Sequence, residues 1–114
     1  MICLLTERRL RPGTFNEFRE AWEPVGDPPR SLIRAFHLRA IGDPDHIVSF
    51  GLFHLSRAQL DALRTDPDTA EQQRARVDAM RAFIEEIGVD GAFEVVEVVE
   101  GPSSGAEDDN ALLA

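Results

Sequence analysis

The chain has 114 residues, 43% of them hydrophobic, and carries 21 acidic residues against 12 basic ones, a formal net charge of −9. That is one domain with one modest core, and its acidity argues against nucleic acid and anionic membranes as partners, because both call for a basic surface. There is no lysine and no tyrosine, which removes Schiff-base catalysis, the lysine of a phosphate-binding loop and any phenolic acid or base.

The first element is a strand over about Ile2 to Leu10, broken by Pro12-Gly13. Thr14 with Glu17 three residues on has the capping-box pattern and opens a helix. Phe15, Phe18 and Trp22 then form one apolar helical stripe, which ends near Pro24. A second strand covers about Ser31 to Ile41 and a third about His46 to Leu55. Gly42-Asp43-Pro44-Asp45 between them reads as a four-residue hairpin turn that pairs Ile41 with His46. Ser56 with Gln59 is a second capping-box pattern and opens a short helix to about Arg64. After Asp66-Pro67-Asp68, a longer helix is expected from Thr69 to Ile87. Its stripe would be Val77, Met80, Phe83, Ile84 and Ile87, with Gly88 as its stop. A fourth strand is expected over Ala92 to Val99. Residues 1–100 form the domain, and the small, acidic stretch 101–114 is expected to be a disordered tail.

The order is β-α-β-β-α-β. This is the α+β, ferredoxin-like pattern, with helices on one face of a four-stranded antiparallel sheet. Ile2 to Leu5, Ile47 to Leu55 and Phe93 to Val99 carry apolar residues on both alternate positions, so both sheet faces need cover. The helices cover one face, and a second copy of the chain is the natural cover for the other. No apolar run approaches the roughly 20 residues of a membrane span. The N-terminus has no secretion-signal pattern, and a single cysteine, Cys3, cannot form an intrachain disulfide. The expected location is the cytoplasm.

Four further pieces fall in a telling order: Arg11-Pro12-Gly13 after the first strand, Phe15-Asn16-Glu17-Phe18 at the first helix, the Gly42-Asp43-Pro44-Asp45 hairpin, and Phe53-His54-Leu55-Ser56 leading into Arg57-Ala58. With them the chain, over about residues 1–100, resembles the antibiotic-biosynthesis-monooxygenase-like (ABM) domains of the dimeric α+β barrel superfamily. The resemblance implies a homodimer with its sheets packed face to face, and a small pocket between sheet and helices in each subunit. Members include cofactor-independent oxygenases of polyketide quinols, haem-degrading enzymes and isomerases. The haem-degrading members carry Asn, Trp and an iron-binding His where this chain has Thr6, Ala62 and Gln72, so haem cleavage is discounted. The expected activity is a cofactor-independent monooxygenase acting on an apolar aromatic small molecule, with no cofactor and no metal. The alternative is a non-catalytic, homodimeric ligand-binding or interaction protein on the same fold.

The candidate site residues follow from the hairpin. With Ile41 opposite His46, His37 lies opposite Phe50 and His54 opposite Ile33. His37, Arg39, Phe50 and His54 then share a face. Phe36, Leu38, Ala40, Ile47, Phe53 and Leu55 share the other, which is the more apolar and is assigned to the helices. His37 and His54 are roughly 13 Å apart at the usual strand rise, too far for one metal. On the partner-facing side they read as interface hydrogen-bonding groups; the functional reading is a general base near neutral pH. Arg39 and Arg34 pair with surface acids or stabilise a phenolate or enolate. Thr6, Trp22, Phe36, Phe53 and Phe83 are the expected pocket lining, Trp22 being either helix core or a flat wall for an aromatic ligand. Cys3 reads as an inert buried thiol, and Glu7 and Glu97 as charges at the wet ends of strands.

Overall fold

A computed structural model describes residues 1–23 and 28–103. The elements are β1 (Ile2–Leu10), α1 (Phe15–Trp22), β2 (Leu32–Ala40), β3 (Asp43–Phe53), α2 (Arg57–Thr65), α3 (Pro67–Arg81) and β4 (Ile84–Glu94). The four strands form one antiparallel sheet in the order β2-β3-β1-β4, the ferredoxin-like order. The core on the helix side is Leu10, Phe18, Ile47 and Met80, with Phe15, Trp22, Val77, Phe83 and Ile84 packed around it. Among the described residues no helix is long and apolar enough to cross a membrane.

Local sequence accounts for most helix ends. Ser56 and Gln59 make both halves of the capping box at α2. Asp66 closes α2 and caps α3 by accepting from the Thr69 N–H. Pro67 then sits at the start of α3, where a missing N–H costs nothing, so that helix starts two residues earlier than expected. Thr14 caps nothing. Its hydroxyl donates to the Arg11 carbonyl instead, at 2.8 Å.

The far end of α3 differs from the sequence expectation. The helix stops at Arg81, not Ile87, and β4 begins at Ile84. The cause is tertiary. Arg11, in the loop after β1, donates its backbone N–H to the Phe83 carbonyl and its Nε to the Ala82 carbonyl, each at 2.9 Å. A cation there also complements the negative end of the helix. The expected strand of valines is correspondingly lost. The Val95 N–H still donates to the Met1 carbonyl, but Val96 and Val99 are 92% and 80% exposed. Residues 104–114, most of the expected tail, lie outside the described residues.

The hairpin closes one residue tighter in register than expected. Ala40 pairs with Asp43 across Ile41-Gly42, and the ladder slips between Arg39 and Ala40. Gly42 has φ +89°, a conformation that favours glycine. His37 therefore pairs with Ser49, and Phe36 with Phe50. A one-residue slip moves every side chain of a strand to the other face. The β3 assignment holds, with Ile47 in the helix-side core. The β2 assignment is inverted: His37 and Arg39 face the helices, while Phe36 and Leu38 face away.

Cross-sheet rows follow from the pairing. On the face away from the helices, Phe36, Phe50, Leu5 and Gly91 form one row, and Leu52, Cys3 and Phe93 lie in the next. The Phe36 and Phe50 rings stack with centroids 4.7 Å apart. Leu38 and Phe93 are both nearly half exposed.

Candidate functional site on the helix side of the sheet

A row of uncharged and acidic polar side chains crosses the helix side of the sheet. His37, Ser49, Thr6 and Asp90 lie side by side across β2, β3, β1 and β4. His37 Nδ1 and Ser49 Oγ are 2.7 Å apart, and the Thr6 hydroxyl donates to Asp90 Oδ1 at 2.9 Å. The neighbouring row toward the hairpin contains Arg39, Ile47 and Arg8. On the other side Ala35, Gly51, Leu4 and Ala92 are small or slender. There the Phe53 ring lies over Gly51, where an added Cβ would meet it at 2.8 Å.

The aromatic stripe of α1 covers this row. His37 meets Trp22 edge-on at 4.5 Å between centroids, and Phe15 and Phe18 at about 6 Å. Four arginines stack on the same stripe: Arg8 over Phe18 at 5.2 Å, Arg39 over Phe15 at 4.9 Å, and Arg19 and Arg76 over Trp22 at 5.6 and 5.5 Å. Guanidinium groups bind aromatic faces well because they are planar and weakly hydrated.

Arg8 is only 8% exposed, and its Nε and Nη1 have no hydrogen-bond partner; Arg76 Nε and His37 Nε2 are likewise buried without one. Burial pulls the Arg8 guanidinium below its ordinary pKa; Asp90 opposes this and Arg76 adds to it. Burial lowers Arg76 too. His37 is pushed below its ordinary value by burial first, then by Arg19 and Arg8. A neutral imidazole has one donor and one acceptor nitrogen. With Nδ1 engaged by Ser49, Nε2 is left to meet whatever enters.

The expected site residues separate. His37, Arg39 and Trp22 come together, with Thr6 in the same row as His37. Phe53 sits one row away over Gly51, and Phe83 packs against the core. Phe36 does not line this side; the register slip puts it on the opposite face. His54 is exposed beyond β3, where its N–H donates to the Ser31 carbonyl. Sequence reasoning missed Arg8, Ser49, Arg76 and Asp90. Thr6 and Arg8 alternate along β1, and that signal was readable. Ser49 needed the hairpin register, and Arg76 needed the helix packing.

The opposite face holds a different polar group. Glu7 Oε2 and His46 Nε2 are 2.7 Å apart, the Val89 N–H donates to Glu7 Oε1, and Arg9 pairs with Asp43 at 2.8 Å. These bonds hold the Glu7 carboxyl below its usual range, the one from His46 most strongly, then the Val89 N–H. A hollow of about 180 Å³ lies there, lined by Glu7, Arg9, His46, Glu86 and Gly88. A second of about 150 Å³ lies at the other end of the sheet among Ile2, Arg57, Leu60 and Phe93. Burial raises the Cys3 thiol above its ordinary pKa. Among the described residues no three of His, Cys, Asp and Glu converge as metal ligands.

No family model and no curated protein sequence matches the chain. Solved structures do. A Chloroflexus aurantiacus J-10-fl protein, provisionally assigned as an antibiotic biosynthesis monooxygenase, superposes with TM-score 0.61 at 14% identity, over 87% of this chain and 96% of that one. A protein from Nitrosomonas europaea with the same provisional assignment gives 0.57 at 14% identity, over 85% and 100%. SnoaB, a cofactor-independent oxygenase from Streptomyces nogalater, gives 0.53 at 12% identity, over 88% and 97%. At these identities the likeness is one of fold, and the chain has the ferredoxin-like α+β fold of ABM domains.

Proposed function

We propose that the chain is a cofactor-independent monooxygenase that takes an apolar aromatic molecule on the helix side of its sheet and works as a homodimer. The observation that carries this reading is His37 Nε2: a buried, unpartnered ring nitrogen bracketed by Trp22 and by unpaired arginines. The neutral imidazole is the base for a phenolic or enolic proton. Arg8 and Arg76 favour the resulting anion in a site that excludes water. The electron-rich ring then reduces oxygen itself. Oxidation of a ring CH2, or its enol tautomer, to a carbonyl releases four electrons. One oxygen atom enters the product and the other leaves as water, so no external reductant is consumed. The protein supplies orientation, desolvation and the base.

A ligand reaches Nε2 by displacing the Trp22 and Arg76 side chains. They are held to each other by a cation–π contact of order 0.5–2 kcal/mol, not by hydrogen bonds. The sheet's other face, with Leu5, Phe36, Phe50, Leu52 and Phe93, would be covered by an identical copy. Oxygen uptake with a panel of anthrols and naphthols tests the catalytic reading. Turnover above background that falls at least tenfold in His37→Gln supports it, and no turnover with any substrate sinks it. One observation favours the non-catalytic alternative: both hollows lie away from His37. Ligand binding without oxygen consumption would decide for that alternative.

A further inference from the structure

The arginines of the helix side are in the wrong company for an acidic protein. The chain has 21 acids to 12 bases, so partners for buried cations are plentiful. Elsewhere arginines find them: Arg9 with Asp43, Arg19 with Glu23, Arg57 with Glu94 and Arg81 with Asp78. Arg8 Nε and Nη1 and Arg76 Nε are buried and find no hydrogen-bond partner among the described residues. The guanidinium groups lie instead over the faces of Phe18 and Trp22. Taking a guanidinium out of water without a carboxylate is costly. Asp90 acts on Arg8, but its Oδ1 is taken by the Thr6 hydroxyl.

The geometry points to an anion-binding subsite formed by Arg8 and Arg76 beside His37, whose ligand is an aromatic carboxylate. This rests on the reading that the helix side of the sheet takes an aromatic molecule, and it names the class: the ring carries a permanent negative charge apart from any proton His37 removes. The free donors decide the polarity of the missing group. Arg8 Nε and Nη1 and Arg76 Nε can only donate, so their partner is an acceptor. The local charge decides its size. Arg19 is paired with Glu23 and Arg39 is exposed to solvent, so the two guanidinium groups with buried nitrogens, set against Asp90, leave about one positive charge, which suits a carboxylate better than a phosphate dianion. The aromatic faces already present decide the rest, since a flat ring can take over the contacts that Trp22 and Phe18 now make with the cations.

Calorimetric titration of the full-length chain with 1-naphthol, 1-naphthoate and 1-naphthyl phosphate tests this, because the three probes share one ring and differ in charge. The expected result is 1-naphthoate bound at least tenfold tighter than 1-naphthol, a typical gain for charge-assisted hydrogen bonds, and at least as tightly as the phosphate. Arg76→Met keeps helix propensity and an apolar body against Trp22, and Arg8→Met does the same against Phe18. Each should cut the preference for naphthoate over naphthol at least fivefold. Arg76→Met, on a helix flank, keeps the test open should Arg8→Met fail to fold. Equal affinity for naphthol and naphthoate overturns the proposal. So does a preference that survives in Arg76→Met and in any folded Arg8→Met, a tenfold preference for the phosphate, or no binding by any probe at millimolar concentration. Naphthoate binding without oxygen uptake on any phenolic substrate would sink the oxygenase reading alone. Turnover of neutral substrates with no preference for charge would sink this inference alone.

Discussion

The β2–β3 hairpin presents one histidine to each face of the sheet, and the two live under opposite electrostatics. His37 on the helix side sits among three aromatic rings, with the Ser49 hydroxyl at its Nδ1 and Arg19 and Arg8 acting on it. His46 on the other side meets the Glu7 carboxylate. Surroundings and not residue type decide the role: the first suits a base with a free nitrogen, the second a hydrogen-bonded anchor for a carboxylate at the edge of an apolar surface. What assigns each histidine to its side is parity along the strand, fixed by a tight turn at Ile41-Gly42.

The comparison breaks most visibly if the two apolar surfaces are exchanged in role. Phe18 is fully buried under the helices, so Phe18→Ala should cost about 3–5 kcal/mol in urea unfolding, by lost burial and a cavity. Phe50→Asp on the other face should instead abolish association. We expect the wild type to sediment as a dimer at micromolar concentration and the variant as a folded single chain. A wild type that is a stable single chain would remove the need for cover on that face.

Smaller effects sharpen the contrast between the histidines. Ser49→Ala takes the partner from His37 Nδ1 and should cost about 1–3 kcal/mol, the range for a buried polar group left unsatisfied. Acid should then separate the two sides. His37 binds its proton less readily folded than unfolded, where its pKa is near 6.5. Its contribution to stability is therefore full above pH 6.5 and is lost as pH falls through the folded value. His37→Gln should flatten the stability profile just below pH 6.5. Glu7 is also depressed when folded, from near 4.5. Its contribution is full above pH 4.5 and lost as pH falls further, so Glu7→Gln should flatten the profile below that point. Urea midpoints collected across pH check both, and profiles that move together would mean the two groups are not independent.

The features legible in the sequence were those held by neighbours in the chain. Ser56 with Gln59, the Phe15-Phe18-Trp22 stripe, the element order and the apolar β3 could all be read directly, because each rests on spacing of a few residues. The features that escaped depend on contacts between distant segments. Arg11 ends α3 from the other side of the molecule, so Phe83 and Ile84 read as helix when one is a turn and the other opens a strand. The hairpin register turned on whether Asp43 belonged to the turn or to the strand, and that single residue moved His37, Arg39 and Phe36 to opposite faces from those expected. The site was legible in part for the same reason. His37, Trp22, Thr6 and Arg39 stood out by type, whereas Arg8, Ser49, Arg76 and Asp90 became visible only once the strands were aligned.

The placement of His37 beneath α1, half-buried and with Nε2 out of water and short of a partner among the described residues, carries the rest of the account. An NMR pH titration of its imidazole in the full-length chain, assigned by comparison with His37→Gln, tests it most directly. We expect a pKa below 6.5. A value at or above 6.5 would mean a ring in water or beside a carboxylate, and would return His37 to the opposite face of the sheet.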